Sequence, residues 1–263
     1  METRNEKKPQ KPQVQLHGID LRISRTMMFD FMALAVLLIL ASVWAARSFI
    51  TSPPYIDPAR YPVKGIDISS HNGMVNFEKV KEDNVSFVFI KASEGDTFRD
   101  DYFSTNYRNA RKAGLKVGAY HFFRFEVSGV RQAMNLLKAV GNRELDLGLV
   151  IDVEAHSNPD TVPLERIVER LQTMVEYLNM KGHRVTFYSN NNGYFDYLAQ
   201  DFKDTPLWVC NFSDPPINAP YDFWQYSHSG EVKGVNGKCD LNVFNGSREE
   251  WYDYLLQRQE NDI

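Results

Sequence analysis

The 263-residue chain lacks several features by which whole classes of protein are recognised. It has only two cysteines and six histidines, and no histidine pair shows the H-E-x-x-H spacing of a helical zinc site. Lys and Arg number 30 against 34 Asp and Glu, which gives a formal charge of -4, and the body of the chain carries no basic patch with interleaved aromatics. The sequence therefore argues against a nucleic-acid partner, and it gives no indication of a cofactor or a metal.

Long hydrophobic runs are also scarce, and the clearest one, "TMMFDFMALAVLLILASVWAA", lies at residues 26–46. A helix of about 20 residues crosses a hydrocarbon core of about 30 Å, so we predict a transmembrane signal-anchor over residues 26–47. Residues 1–25 read as a disordered basic tail, which the positive-inside rule places in the cytoplasm. The alternative is a signal peptide cleaved near Ala45. Residues 48–62, rich in proline, are predicted to be a linker to a domain over residues 63–263.

From Val63 onward, short apolar runs alternate with amphipathic helical patterns, which indicates a parallel sheet covered by helices. Five such repeats are followed by three strand-like runs, "PLWVCNF", "YDFWQYS" and "KCDLNVF", without helices between them. About eight strands over roughly 200 residues fit a closed barrel. We predict an α/β fold, an irregular TIM-like barrel of about (β/α)5 followed by three strands.

Acidic and aromatic side chains stand at the ends of several predicted strands. In a parallel barrel these ends share one rim, where active sites form. The residues that stand there are Asp67, Glu94, Tyr120, His121, Asp152, Glu154, Tyr188, Trp208, Asn211, Trp224, Gln225, Tyr226 and Asp240. Each acid alone could cap a helix or pair with a lysine, but four acid-bearing strands together favour a functional site.

Asp152 and Glu154 lie two residues apart in "LGLVIDVEAHS". Side chains at i and i+2 of a strand share a face, so both carboxyls are expected to point into the same space. Two carboxyls so close cannot ionise independently, and we predict that crowding keeps a proton on Glu154. A protonated carboxyl near neutrality is what glycoside hydrolysis requires of its general acid, and nearby Trp and Tyr rings would stack on sugars.

The two cysteines, Cys210 and Cys239, fall on predicted strands that have one more strand between them. Strand spacing then separates their Cα atoms by about 9 to 10 Å, beyond the disulfide limit of about 7 Å. We therefore predict two buried free thiols.

The motifs "KGIDISSHNG", "FVFIKASEG", "GAYHFFR", "VIDVEA", "FYSN", "LWVCNF", "FWQYS" and "DLNVF" occur in this order, and together they resemble glycoside hydrolase family 25. These are lysozymes (N-acetylmuramidases) that cut the β-1,4 bond between N-acetylmuramic acid and N-acetylglucosamine in peptidoglycan. The resemblance covers about residues 63–245 and implies a flattened barrel with a helix missing between its last strands.

The resemblance also implies roles for single residues. Glu154 matches the general acid/base of the family and Asp152 its partner on the same strand, while Asp67 and Asp240 match two further active-site acids. The substrate-binding residues expected beside them are Glu94, Tyr120, Tyr188, Trp208 and Trp224.

The order of the chemical steps stays open between direct retention, inversion and assistance by the 2-acetamido group of the sugar. The spacing of Asp152 and Glu154 favours assistance, because an acid so close to the proton donor is badly placed for backside attack and well placed to orient an acetamido group.

Other functions remain as alternatives. A family 18 chitinase would carry the longer pattern D-x-x-D-x-D-x-E, but positions 147 and 150 are Leu147 and Val150. A non-catalytic wall-binding protein would be expected to lack one of the acids. A metal hydrolase would use His121, His156 or Asp67.

We expect a chain held in the cell membrane by one span, with its catalytic domain periplasmic or extracellular, or else secreted after cleavage near Ala45. Its partners would be peptidoglycan strands and, through residues 26–47, the membrane. No feature of the sequence fixes the oligomeric state, and a monomer is the expectation.

Overall fold

A computed structural model describes residues 25–51, 55–213 and 220–260, and the chain divides into two compact units, Met1–Thr51 and Ser52–Ile263. The first unit contains the helix α1 (Arg25–Thr51), whose apolar side chains from 29 to 44 are exposed. The predicted tail lies outside the described residues, apart from Arg25. The predicted linker starts inside α1, because residues 48–51 are helical.

The prediction of a transmembrane segment over residues 26–47 is not supported. Within the described residues, no helix combines the length and the apolar character that crossing a membrane requires.

The described part of the second unit contains one nine-stranded sheet. Its strands are β1 (Lys64–Ile68), β2 (Val85–Glu94), β3 (Phe98–Arg99), β4 (Lys116–Phe122), β5 (Leu149–Asp152), β6 (Val185–Asn190), β7 (Leu207–Cys210), β8 (Phe223–Gly230) and β9 (Cys239–Phe244). The order is β1-β9-β8-β7-β6-β5-β4-β2-β3, and β1 also pairs with β2, so eight strands close into a barrel and β3 extends β2. This confirms the predicted α/β barrel.

Helices follow most of the strands. They are α2 (Phe77–Glu82), α3 (Phe103–Lys112), α4 (Gly129–Val140), α5 (Leu164–Met180), the single turn α6 (Asn191–Gly193), which continues as a π-helical turn over Tyr194–Leu198, and the C-terminal α7 (Arg248–Glu260). As predicted, β7, β8 and β9 follow one another without a helix among the described residues. The strand β9 runs antiparallel to both of its neighbours, β8 and β1. Its N-terminal end therefore lies at the same rim as the C-terminal ends of the parallel strands.

Alternation along each strand divides the buried side chains into two layers. Outward-facing residues such as Ile66, Val117 and Ile151 pack under the helices. Inward-facing residues fill the barrel, where Phe89 stacks on Trp208 with ring centroids 4.4 Å apart. The interior is thus a packed core up to the level of the rim.

Two glycines allow aromatic rings to pack directly against the strand backbone in this interior. A Cβ on Gly65 would lie 2.2 Å from the Phe87 ring, and one on Gly118 would lie 2.4 Å from the Phe89 ring, so only glycine fits at either position. The opposite end of the barrel is closed by α7, whose Trp251 packs against Phe244 with centroids 5.2 Å apart.

The prediction of two free thiols is confirmed. Cys210 and Cys239 are both buried and unpaired, with β8 lying between their strands.

Candidate active site

A cavity of about 440 Å³ opens at the rim where the parallel strands end. It is lined by Asp67, Tyr120, Asp152, Glu154, Tyr188, Asn190, Trp208, Cys210, Asn211, Phe212, Gln225, His228 and Asp240. All four predicted catalytic acids are among these residues. The structure therefore brings together side chains that are separated by as many as 173 positions in the sequence.

Asp67 and Asp240 lie directly opposite each other on β1 and β9. The carboxyl of Asp67 is buried, and its Oδ2 accepts hydrogen bonds of 2.8 Å from Gln225 Nε2 and from Asn242 Nδ2. Burial raises the pKa of Asp67 well above its usual value, and the negative charge of Asp240 raises it further. Burial also raises the pKa of Asp240, although its hydrogen bond with Asp67 opposes the change. Asp67 is therefore the member of this pair that holds a proton.

Asp152 ends β5 and points into the barrel. Burial raises its pKa well above the usual value, and the negative charge of Glu154 adds to the effect. Its Oδ1 is buried without a hydrogen-bond partner. A buried polar atom left unpaired costs about 1–3 kcal/mol, so this oxygen is poised to accept a hydrogen bond from a bound molecule.

Glu154 follows β5 by two residues and is half-buried on the cavity wall. Burial raises its pKa, and a positive charge on His156 opposes the change. Both acids of the pair thus hold a proton to higher pH than free carboxyls do. The sequence prediction placed the retained proton on Glu154, whereas burial raises the pKa of the more deeply buried Asp152 further.

Three predicted aromatic residues form the cavity wall. Tyr188 donates a hydrogen bond of 2.8 Å to Gln225 Oε1, and its ring lies against Trp208 with centroids 4.4 Å apart. Tyr120 meets Trp208 edge-on at 6.3 Å. These rings give the cavity apolar faces beside its acids.

Two predicted substrate-binding residues lie outside the cavity. Trp224 faces outward, where its ring packs against Tyr61 with centroids 5.5 Å apart and its Nε1 donates to the Asn211 carbonyl at 2.7 Å. Glu94 pairs with Lys91 Nζ at 2.7 Å and lies 3.8 Å from Arg124 Nε. Neither side chain lines the cavity.

Other residues in or beside the cavity were given no role from the sequence, although Asn211 and Gln225 were noted at strand ends. Gln225 is the inward-facing neighbour of Trp224. Asn242 is buried below the rim and accepts a hydrogen bond of 2.8 Å from Trp208 Nε1, so it connects Trp208 to Asp67. His228 and Phe212 form a ring pair at the cavity edge, with centroids 4.6 Å apart.

A thiol also reaches the cavity. Burial raises the pKa of Cys210 to about 12, so at neutral pH it is a protonated thiol and a poor nucleophile. No group of three or more His, Cys, Asp or Glu side chains suited to a metal ion occurs in the part of the chain that the structure describes.

Comparisons with known proteins agree with this geometry. The family model described as glycosyl hydrolases family 25 matches residues 66–235. An autolytic lysozyme of Clostridium acetobutylicum is 38% identical over 69% of this chain, and the match spans only 56% of that relative. Lysozyme M1 of Streptomyces globisporus is 34% identical over 70% of this chain and 68% of its own length.

A solved structure shows the same likeness in three dimensions. The family 25 glycosyl hydrolase from Bacillus anthracis superposes with a TM-score of 0.71 and 34% identity, over 77% of this chain and 96% of that one. The chain belongs to the glycosyl hydrolases of family 25.

Proposed function

We propose that this protein is a peptidoglycan muramidase, which hydrolyses the β-1,4 bond between N-acetylmuramic acid and N-acetylglucosamine. The observation that carries the proposal is the cavity in which Asp67, Asp152, Glu154 and Asp240 meet beside aromatic rings. Relatives in the family are named as lysozymes, which supports the substrate class.

Glu154 is the proposed general acid and base. Burial raises its pKa and so favours the protonated form, which can donate to the leaving glycosidic oxygen. After the bond breaks, the resulting carboxylate removes a proton from water, and this water then attacks the anomeric carbon.

Asp152 is the proposed partner of the 2-acetamido group. Its unpaired Oδ1 would accept a hydrogen bond from the acetamido N–H of the bound sugar. This contact favours the carboxylate form of Asp152, because a hydrogen bond to the charged form lowers a pKa. The acetamido oxygen then attacks the anomeric carbon, and the nearby carboxylate stabilises the cyclic cation that forms.

Asp67 and Asp240 complete the acidic wall. We assign the negative charge of this pair to Asp240, since Asp67 holds the proton and is fixed by Gln225 and Asn242. A carboxylate there would stabilise positive charge that develops on the sugar ring. The Tyr120, Tyr188 and Trp208 rings provide the apolar wall against which sugar rings pack.

Digestion of purified peptidoglycan tests the proposal. The full chain and its Glu154→Gln variant are incubated with the glycan, and the new reducing ends are identified by mass spectrometry. Muramic acid ends from the wild type and none from the variant are expected. Glucosamine ends would assign the enzyme to the other linkage, and binding without any new ends would indicate a non-catalytic wall-binding protein.

The anomeric configuration of the new reducing end tests the acetamido route. Assistance by the substrate inverts the anomeric carbon twice and so retains its configuration. A muramyl substrate without the acetamido carbonyl should be cleaved much more slowly, and cleavage at an equal rate would contradict the role given to Asp152.

The substrate also indicates the location. Peptidoglycan lies outside the cytoplasmic membrane, so the catalytic domain would act in the periplasm or at the cell exterior. Protease added to intact spheroplasts should then degrade this domain, and protection from the protease would contradict the location. The mass of the mature protein would show whether the chain is cleaved near Ala45.

A further inference from the structure

The loop that carries Glu154 is held to its neighbours by several hydrogen bonds between side chains and backbone. Asn158 Nδ2 donates to the Glu154 carbonyl at 2.8 Å and to the Phe123 carbonyl at 2.9 Å. Its Oδ1 accepts from the Phe125 backbone N–H, also at 2.9 Å. One half-buried amide thus connects the loop after β5 to the loop after β4.

A second hydrogen bond acts on the other side of Glu154. Ser189 Oγ, on β6, donates to the Val153 carbonyl at 2.6 Å, and the Val153 N–H donates to the Tyr188 carbonyl at 2.9 Å. Peptide units are planar, so fixing the Val153 and Glu154 carbonyls fixes the two planes that flank the Glu154 Cα. The direction of its Cα–Cβ bond is then determined.

Apart from these side-chain hydrogen bonds, the loop has little regular structure that would hold it in place. The strand β5 ends at Asp152, and Ser157 adopts a left-handed conformation with φ of 65°, which is strained for a residue with a side chain. Arg124 donates to the Ser157 carbonyl, and the Asn158 N–H donates to the Ala155 carbonyl at 3.1 Å. Asn158 is the residue of this turn whose side chain reaches Glu154 itself.

We infer that Asn158 is a positioning residue for the proposed general acid, and that its amide fixes the carbonyl of Glu154 so that the carboxyl points into the cavity. The inference rests on the proposed function. A displacement of about 1 Å of a catalytic group can cost on the order of 100-fold in rate, so the position of this backbone matters to the chemistry.

The test compares Asn158→Ala with a matched control, Asn245→Ala, in the full chain. Asn245 is also half-buried and also binds through both side-chain atoms, since Nδ2 donates to the Tyr221 carbonyl at 3.0 Å and Oδ1 accepts from Arg60 Nη2 at 2.9 Å. It directly follows β9 at the end of the barrel opposite the cavity. Each variant therefore loses both donated and accepted side-chain hydrogen bonds, but only Asn158→Ala removes a hydrogen bond to Glu154.

Rates are measured on labelled soluble glycan fragments, on protein shown to be folded by circular dichroism. Asn158→Ala should lower kcat by about 10- to 100-fold with KM changed less than about threefold, because the sugar-binding walls stay intact. Asn245→Ala should lower the melting temperature without changing kcat. Equal kcat values for the two variants would overturn the inference.

A second variant separates the contacts of the amide. Asn158→Asp keeps an oxygen to accept from the Phe125 N–H but loses both donated bonds, including the one to Glu154. It should therefore be impaired in kcat like Asn158→Ala. Restoration of wild-type kcat would show that the link to Phe125 is sufficient and that the tie to Glu154 has no positioning role.

Hydrogen exchange gives a readout that does not depend on activity. The Phe125 amide should exchange faster in Asn158→Ala than in wild type, and at an unchanged rate in Asn245→Ala. If the wild type cleaves no peptidoglycan, the proposed function fails. Unchanged exchange at Phe125 in Asn158→Ala would by itself contradict the role of Asn158 in joining the two loops.

Discussion

Asp67 and Asp240 face each other across the junction of β1 and β9, although 173 positions separate them in the sequence. Residues directly opposite on antiparallel strands have Cβ atoms about 4.5–5.5 Å apart. Like charges at this distance destabilise a fold, and the pair is tolerated because burial raises both pKa values and a proton remains on Asp67. This arrangement predicts how stability depends on pH.

The first prediction concerns Asp67→Asn. The pKa of Asp67 in the folded protein lies well above its unfolded value near 3.8, so its contribution to stability is complete below that value and is lost as pH rises through the folded pKa. The amide cannot ionise, and its atoms can still accept from Gln225 and donate to Asp240. The variant should be more stable than wild type at pH 7, because folding of the wild type at that pH requires Asp67 to hold a proton that the unfolded chain has released.

Urea unfolding at pH 3 and pH 7 measures this difference. The advantage of Asp67→Asn should be present at pH 7 and absent at pH 3. A variant less stable than wild type at pH 7 would contradict the assignment of the proton to Asp67.

The second prediction concerns the hydrogen bond between Trp208 and Asn242. Trp208 Nε1 donates to Asn242 Oδ1 and so orients this amide with its N–H toward Asp67. Trp208→Phe leaves the buried oxygen unpaired and also removes part of the stacking on Phe89, which together should cost about 2–4 kcal/mol of stability.

Thermal unfolding of Trp208→Phe and of Phe89→Leu separates the two effects. Both variants disturb the stack, but only Trp208→Phe frees the Asn242 amide, so the double variant should be less destabilised than the sum of the single ones. Full activity in Trp208→Phe would show that the orientation of Asn242 is unimportant to the site.

The barrel could be predicted from the sequence because hydrophobic periodicity and length determine which segments are strands. The face of each strand was harder to predict. In "FWQYS", Gln225 faces the barrel interior while Trp224 and Tyr226 face outward. Both faces of this strand are buried and carry aromatic residues, so the sequence pattern does not show which face is which, and a shift of one residue exchanges them. Trp224 was therefore assigned to substrate binding, whereas Gln225, noted at the same strand end, is the residue that lines the cavity.

The site residues that could not be predicted are those that depend on long-range contacts. The four acids were predictable because each stands at a strand end, and the antiparallel direction of β9 brings Asp240 to the same rim. The contacts of Asn158 and Asn242 arise only when separate loops and strands meet in the fold. No local pattern in the sequence distinguishes these two from other asparagines.

The third prediction concerns Glu94, which was predicted to bind substrate. Its carboxylate accepts a hydrogen bond of 2.7 Å from Lys91 Nζ on the same strand, β2, and the side chain does not line the cavity. Glu94→Gln should therefore leave kcat/KM within about threefold of wild type, since partly exposed ion pairs are worth little. Tyr188→Phe, which removes the hydrogen bond to Gln225, should impair activity more in the same assay. A larger loss in Glu94→Gln would place Glu94 in the binding site after all.

The last prediction concerns His156, an exposed residue two positions after Glu154. A positive charge on His156 lowers the pKa of Glu154, against the larger effect of burial. His156→Gln removes this charge, so the pKa of Glu154 should rise and its protonated form should persist to higher pH. The alkaline limb of the dependence of kcat on pH reports the general acid in the complex and should move to higher pH.

Salt provides the control for this prediction. At low salt, where surface charges act most strongly, the kcat–pH profile of His156→Gln should be displaced from that of wild type, and the displacement should shrink as salt is added. A limb that moves downward would show that Glu154 is not the group that must be protonated.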